Sequence, residues 1–187
     1  TMITSNCLVR PNKRPVAWSE IKLLILDCDG VLTDGRIVYG NGGLDIKIFH
    51  ASDGMGFMLL KAAKIPVAIV TGRSSEALAY RCRDLGIDLL FQNVANKLQC
   101  VNELLENLNM SFDNVVYMGD DWNDVPCMRR AAFSVAPANA LPEIQKIADH
   151  TTETAGGLGA VRECISYIMH KKGIFERAVI DFLEGIC

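Results

Sequence analysis

Short apolar runs alternate with amphipathic stretches along most of this chain. Residues 21–26, 66–70, 115–118 and 133–135 are nearly continuous runs of Ile, Val, Leu and aromatic residues, the pattern of strands buried on both faces of a parallel sheet. Residues 88–91 read as a further short strand. Between these runs the spacing turns helical. Met55, Met58, Leu59 and Ala62 repeat at helical intervals from Asp53 onward, with Lys61 and Lys64 toward the C-terminal end. Ser74 is placed to cap a helix running to Leu85 and closed by Gly86, and Asn96 to cap one ending near Leu108. Further helices are expected from about Asn123, over 141–148, and over 160–170 after the break at Gly156-Gly157-Leu158-Gly159. Strands alternating with helices predict an α/β fold built on one doubly wound parallel sheet.

One segment departs from this alternation. Residues 36–39 and 45–49 flank Gly40-Asn41-Gly42-Gly43, and Asn-Gly between β-branched runs is the strongest short hairpin signal. The hairpin carries apolar side chains on both faces, so it is expected to project and to find a partner. The chain then divides into an irregular leader over 1–20, a main domain over 21–172 and a helical tail over 173–187. Pro11 and Pro15 punctuate the leader, and its Met2-Ile3-Thr4 resembles a vector remnant. In the tail, Ile174, Phe175, Ala178, Val179, Phe182 and Leu183 form an amphipathic stretch. That stretch either packs on the domain or reaches a neighbouring site.

Composition narrows the function. At 187 residues, half of them apolar, the chain can fill one sizeable core. A formal net charge of -3 argues against sequence-independent nucleic-acid binding. No apolar stretch approaches a membrane span and no signal peptide is evident. Seven cysteines without a CxxC pair point to reduced thiols and a cytoplasmic location. Cys28, Cys82, Cys100, Cys127 and Cys164 read as packing residues.

The chemistry gathers at strand ends. Asp27-Cys28-Asp29-Gly30 follows the first strand, Thr71-Gly72 the second, and Gly119-Asp120-Asp121 the one over 115–118, with Asp124 shortly after and Lys97 at a helix start. In a parallel sheet these ends meet along one edge, where open α/β sheets bind ligands. Two side-by-side buried carboxylates are costly unless a cation or proton shares them. Such a density of carboxylate oxygens suits Mg²⁺, and a hydroxyl, an ammonium and backbone amides suit phosphoryl oxygens. His50, His150 and His170 lack ligand spacing, and Trp122 reads as packing.

Asp27-Cys28-Asp29-Gly30-Val31-Leu32-Thr33-Asp34-Gly35, Thr71-Gly72-Arg73, Lys97 and Gly119-Asp120-Asp121-Trp122-Asn123-Asp124 resemble, in order, the four motifs of the haloacid dehalogenase superfamily of phosphatases. Phe49 through Asp53-Gly54, the hairpin in place of a cap domain, and Gly156 to Glu163 resemble its cap-lacking 3-deoxy-D-manno-octulosonate 8-phosphate phosphatase branch. The resemblance covers about residues 22–170. It implies that Asp27 is a nucleophile forming an aspartyl-phosphate and that Asp29 is the acid, then the base. It implies that Thr71 and Lys97 hold phosphoryl oxygens. The metal, Mg²⁺, would be held by Asp27, Asp120 and the backbone carbonyl of Asp29, with Asp121 and Asp124 behind. It further implies a homotetramer with hairpins at its centre and a neighbouring subunit closing each site. Gly72 and Arg73, with Arg162 and Lys47, are candidates for binding the sugar acid, and Arg81 is a weaker one. The resembling enzymes carry an arginine where this chain has Ser52, which leaves open a 2-keto-3-deoxynonulosonate 9-phosphate substrate. Two other classes fit less well. A phospho-accepting receiver domain has an adjacent acidic pair and an accepting aspartate on a later strand, and none ends 66–70 here. An inactive assembly domain tends to lose motif residues, and this chain keeps all of them.

Overall fold

The computed structural model describes residues 15–39, 41, 42 and 44–185. The leader as far as residue 14, with Met2-Ile3-Thr4 and Pro11, and the turn glycines Gly40 and Gly43 lie outside the described residues. Six strands form a parallel sheet in the order β5-β4-β1-β6-β7-β8. These are β1 (Leu23–Leu26), β4 (Val67–Val70), β5 (Leu89–Phe91), β6 (Val115–Met118), β7 (Phe133–Ala136) and β8 (His150–Thr151). A separate two-stranded ribbon pairs β2 (Val38–Tyr39) with β3 (Asp45–Ile46), antiparallel, with Val38 opposite Ile46. The helices are α1 (Ala51–Ala62), α2 (Glu76–Leu85), α3 (Lys97–Asn107), α4 (Val125–Met128), α5 (Pro142–Ile147), α6 (Ala160–Lys172) and α7 (Phe175–Glu184).

Strand side chains alternate between faces, and two cores result. Leu24, Leu26, Val67, Ile69, Val116, Met118 and Val135 point to the face covered by α1, α2 and α6. Leu23, Ile25, Ala68, Val70, Val115 and Tyr117 point to the face covered by α3, α4 and α5. Every residue of β1, β4 and β6 is buried, which explains why these strands read as unbroken apolar runs. β1 lies between β4 and β6, so the chain steps outward on one side of β1 and then returns to the other. That reversal opens a crevice at the carboxyl ends of β1 and β6.

Several expected bounds shift. The first strand begins at Leu23, not at 21, and the first helix begins at Ala51, before Asp53. Ser75, not Ser74, caps α2: its hydroxyl accepts the Leu78 N–H at 3.1 Å. The helix expected from Asn123 is the single turn α4, because Asp124 holds the preceding backbone in a turn. β8 has no apolar run and was not legible. The last main helix extends to Lys172, closed by Gly173. Asn96 caps α3 as expected, its side chain accepting the Gln99 N–H at 3.1 Å. α7 packs against α1 and α6, with Ala178 buried and Phe175, Val179 and Phe182 partly so. Cys28, Cys82, Cys127 and Cys164 are buried and unpaired, and burial pushes the Cys127 thiol up to about 12. The expected apolar ribbon is present: Ile37, Val38, Leu44, Ile46 and Ile48 are all exposed, Ile48 by 70%. No helix among the described residues is long and apolar enough to cross a membrane.

Candidate active site

The crevice is lined by carboxylates from adjacent strand ends. Asp27 continues β1, its N–H donating to Met118 of β6 at 3.0 Å. Its Oδ1 accepts the Cys28 N–H at 2.7 Å and its Oδ2 lies 2.9 Å from Lys97 Nζ. Asp120 and Asp124 follow β6, and one carboxylate oxygen from each of Asp27, Asp120 and Asp124 lies within 4.8 Å of the others. Asp124 is wholly buried. It accepts from Lys97 Nζ at 2.8 Å, from the Tyr117 hydroxyl at 2.7 Å, and from the N–H groups of Asp120 and Asp121. Gly119 is required here, because a Cβ would overlap the Asp124 side chain.

Three acids therefore face one ammonium, and the imbalance appears in their proton affinity. Burial, then the charge of Asp124, pushes Asp27 up to about 7, against the pull of Lys97. Burial, then Asp124 and Asp27, pushes Asp120 up to about 8. Burial alone would lower Lys97, but Asp124 and Asp27 outweigh it and hold the ammonium above its ordinary value. Asp120 Oδ1 is buried with no hydrogen-bond partner. A divalent cation at this point would satisfy that oxygen and relieve the repulsion, so the donor set fits Mg²⁺.

The other expected residues divide into two groups. Thr71 is buried at the end of β4, its Oγ1 within 3.5 Å of the Arg73 N–H. Lys47, just after β3, forms an ion pair with Asp29 Oδ1, and Arg73 Nε lies 3.8 Å from Asp29 Oδ2. Gly72 is exposed between Thr71 and Arg73. The Asp29 side chain is thus directed toward two cations and lies outside the three-carboxylate group. Asp121 is exposed, with its Oδ1 accepting the Trp122 N–H at 2.6 Å. Trp122 is 41% exposed, so it does not serve as the packing residue expected. Arg162 sits in the seam of α1 and α6, its N–H donating to Asp53 Oδ1 at 2.8 Å and its Cδ lying against Gly56. The hairpin is tied to the same edge, because Asp45 Oδ2 accepts the Ser75 hydroxyl at 2.7 Å and the Ala77 N–H at 3.0 Å.

A model of the haloacid dehalogenase-like hydrolases matches residues 87–165, a span holding Lys97, Asp120 and Asp124. The chain is 44% identical over 159 residues to the 3-deoxy-D-manno-octulosonate 8-phosphate phosphatase KdsC of Escherichia coli K12, covering 85% of each. The chain belongs to this phosphatase family. Its fold superposes on the Yersinia pestis member with a TM-score of 0.83 at 41% identity, over 85% of this chain and 86% of that one. It also superposes on the Moraxella catarrhalis member, solved with magnesium, phosphate and KDO, with a TM-score of 0.85 at 32% identity. That match covers 96% of this chain and 99% of that one.

Within this family member, the contacts of three residues escaped the reading of the sequence. Tyr117 looked like one more core residue of β6, yet its hydroxyl anchors Asp124. Asp53 reads as the onset of a helical pattern and as part of the Phe49 to Asp53-Gly54 resemblance; its side chain is buried and caps α6 from a different helix. Asn139 carried no signal, since a lone asparagine in a loop is common.

Proposed function

We propose that this protein hydrolyses 3-deoxy-D-manno-octulosonate 8-phosphate to the free sugar acid and phosphate, with Mg²⁺ as cofactor. The observation that carries this reading is the buried group of Asp27, Asp120 and Asp124 against one lysine, at the switch point of the sheet. Asp27, Asp120 and the Asp29 carbonyl would hold the ion, which when bound offsets the negative charge of carboxylates and phosphate. Asp27 attacks phosphorus; an aspartyl oxygen–phosphorus bond forms as the bond to the sugar oxygen breaks. Asp29 gives its proton to that departing oxygen, then takes one from the water that cleaves the acyl phosphate. Thr71 Oγ1 and Lys97 Nζ hold non-bridging phosphoryl oxygens, and Asp124 keeps Lys97 extended toward Asp27.

Arg73 and Lys47 border Asp29 and, with Gly72 next to Arg73 in the chain, are the candidates for contacting the sugar acid; Arg162, in the helix seam, supports that role less well. The exposed apolar ribbon supports a homotetramer in which a neighbouring copy covers the crevice. The odd cysteine count and buried thiols favour a cytoplasmic protein, with residues 21–172 as the phosphatase unit and 173–187 as its tail.

Ser52 favours a second substrate. Its hydroxyl lies 2.6 Å from His50 Nδ1 and offers no cation at that position. The nine-carbon 2-keto-3-deoxynonulosonate 9-phosphate is therefore the second reading. Phosphate release from both compounds, each with Mg²⁺ and with chelator, tests the proposal. The eight-carbon ester should be preferred and chelator should abolish turnover. Equal rates in chelator, or preference for the nine-carbon ester, would contradict it.

A further inference from the structure

Asn139 lies in the loop between β7 and α5, outside every motif considered above. Its Oδ1 accepts the Gly156 N–H at 2.6 Å and its Nδ2 donates to the Gly30 carbonyl at 3.0 Å. One exposed amide therefore bridges the loop after Asp29 and the glycine-rich loop before α6. Gly30 has φ of +89° and is packed so closely that a Cβ would run into the Asp120 carboxylate. A Cβ on Gly156 would run into the Gly30 carbonyl. The segment carrying Asn139 also reaches Asp120 directly, through the Leu141 N–H on the Asp120 carbonyl at 3.4 Å. The Cys28 carbonyl holds the turn from within, accepting the N–H groups of Val31, Leu32 and Thr33 at 3.3, 2.8 and 3.1 Å; the Asn139 donor ties the remaining Gly30 carbonyl to the segment that reaches Asp120.

We propose that Asn139 is a positioning residue. It sets the Asp29–Gly30 turn against Asp120 and thereby the geometry that receives the divalent cation and the phosphoryl group. The inference rests on the proposed Mg²⁺-dependent phosphatase reading. A built-in control is available. Gln145 Nε2 braces the same loop from behind, donating to the carbonyls of Ala138 at 2.9 Å and Ala140 at 3.0 Å, with no bond to Gly30 or Gly156.

The test compares Asn139→Ala and Gln145→Ala in the full chain. Readouts are melting temperature, kcat, KM, and Mg²⁺ affinity by calorimetry on chelator-stripped protein without substrate. Asn139→Ala removes the side-chain partner of two buried residues, Gly30 and Gly156, so the variant should melt about 2–8 °C below the parent. Its kcat should fall about 10- to 100-fold, KM should change little, and Mg²⁺ binding should weaken about tenfold. Gln145→Ala should lower the melting temperature at least as much and leave kcat and Mg²⁺ affinity near the parent's. Parental kcat and Mg²⁺ affinity in Asn139→Ala would overturn the proposal. So would losses of activity that track melting temperature equally in both variants. A parent chain that neither binds Mg²⁺ nor releases phosphate would overturn the reading of the site and the role of Asn139 with it.

Discussion

The sheet has a depression at each edge, and the two differ in kind. At the amino ends of β4 and β5, a cavity of about 310 Å³ is lined by Lys61, Lys64, Pro66, Gly86 and Asp88 among others. Its charged side chains are exposed and keep their water. At the carboxyl ends of β1 and β6, Asp27, Asp124 and Lys97 are almost wholly buried. Water solvates the first set at no cost, whereas the second set must be balanced from within. Room for a ligand is therefore a poor guide in this molecule. The guide is charge that the fold has buried and left incompletely compensated.

The largest contrast should come from the proposed nucleophile. Asp27→Asn removes the carboxylate proposed to attack phosphorus and should lower kcat by about 10⁴-fold or more. Lys61→Ala with Lys64→Ala, at the other edge, should leave kcat within about twofold. Steady-state rates at saturating substrate decide it, and comparable losses at both edges would erase the distinction.

Next is Lys97. Lys97→Met leaves Asp27 and Asp124 facing each other without their ammonium, and should cost about 3–5 kcal/mol of stability as well as activity. Urea denaturation measures it. A change no greater than that of Lys61→Ala would mean the buried network carries no special burden.

The pH dependence follows in size. Asp27 and Asp120 keep protons in the folded protein up to about 7 and about 8, whereas an unfolded chain releases them near pH 4. The folded state thus binds more protons across that window, and the metal-free protein should lose stability as pH rises from about 4 to 8. Mg²⁺, binding only the folded form, should flatten the trend. Asp45 and Glu163, held below the usual carboxylate range by hydrogen bonds from amides and hydroxyls, lose their contribution only at lower pH. Melting temperatures in chelator at stepped pH should fall; a flat or rising profile would contradict the buried-acid account. The smallest effect concerns the ribbon. Ile48→Asp should shift the mass seen by light scattering from tetramer toward smaller species, and an unchanged mass would remove the ribbon from the proposed assembly.

The parts of this architecture that were readable have a common cause. β1, β4 and β6 are buried on both faces, so their runs were unbroken, and their acids and Thr71 fell at the ends where parallel strands converge. What escaped detection depends on single contacts, near and far in the chain, rather than on a repeating pattern. β8 has two residues and no apolar run; it exists because β7 offers it an edge. The turn before α4 is set by Asp124 folding back on the amides of Asp120 and Asp121, which no periodicity encodes. Tyr117 and Asn139 acquire their roles only when β6 meets Asp124 and when two glycine loops close on one amide. The resemblance to known motifs named Asp27, Asp29, Thr71, Lys97 and Asp120, with Asp124 behind them; it did not reveal that Asp124 would be wholly buried and hold Lys97 directly at 2.8 Å.

The central claim is that Asp27, buried beside Asp120 and Asp124, carries the phosphoryl group during turnover. It is tested most directly by quenching the enzyme with substrate and Mg²⁺, reducing the acyl phosphate with borohydride, and mapping the product by peptide mass spectrometry. The account predicts homoserine at position 27 and aspartate unchanged at 29 and 120. Reduction at 29 or 120 instead, or an unmodified peptide from enzyme that is turning over, would contradict it.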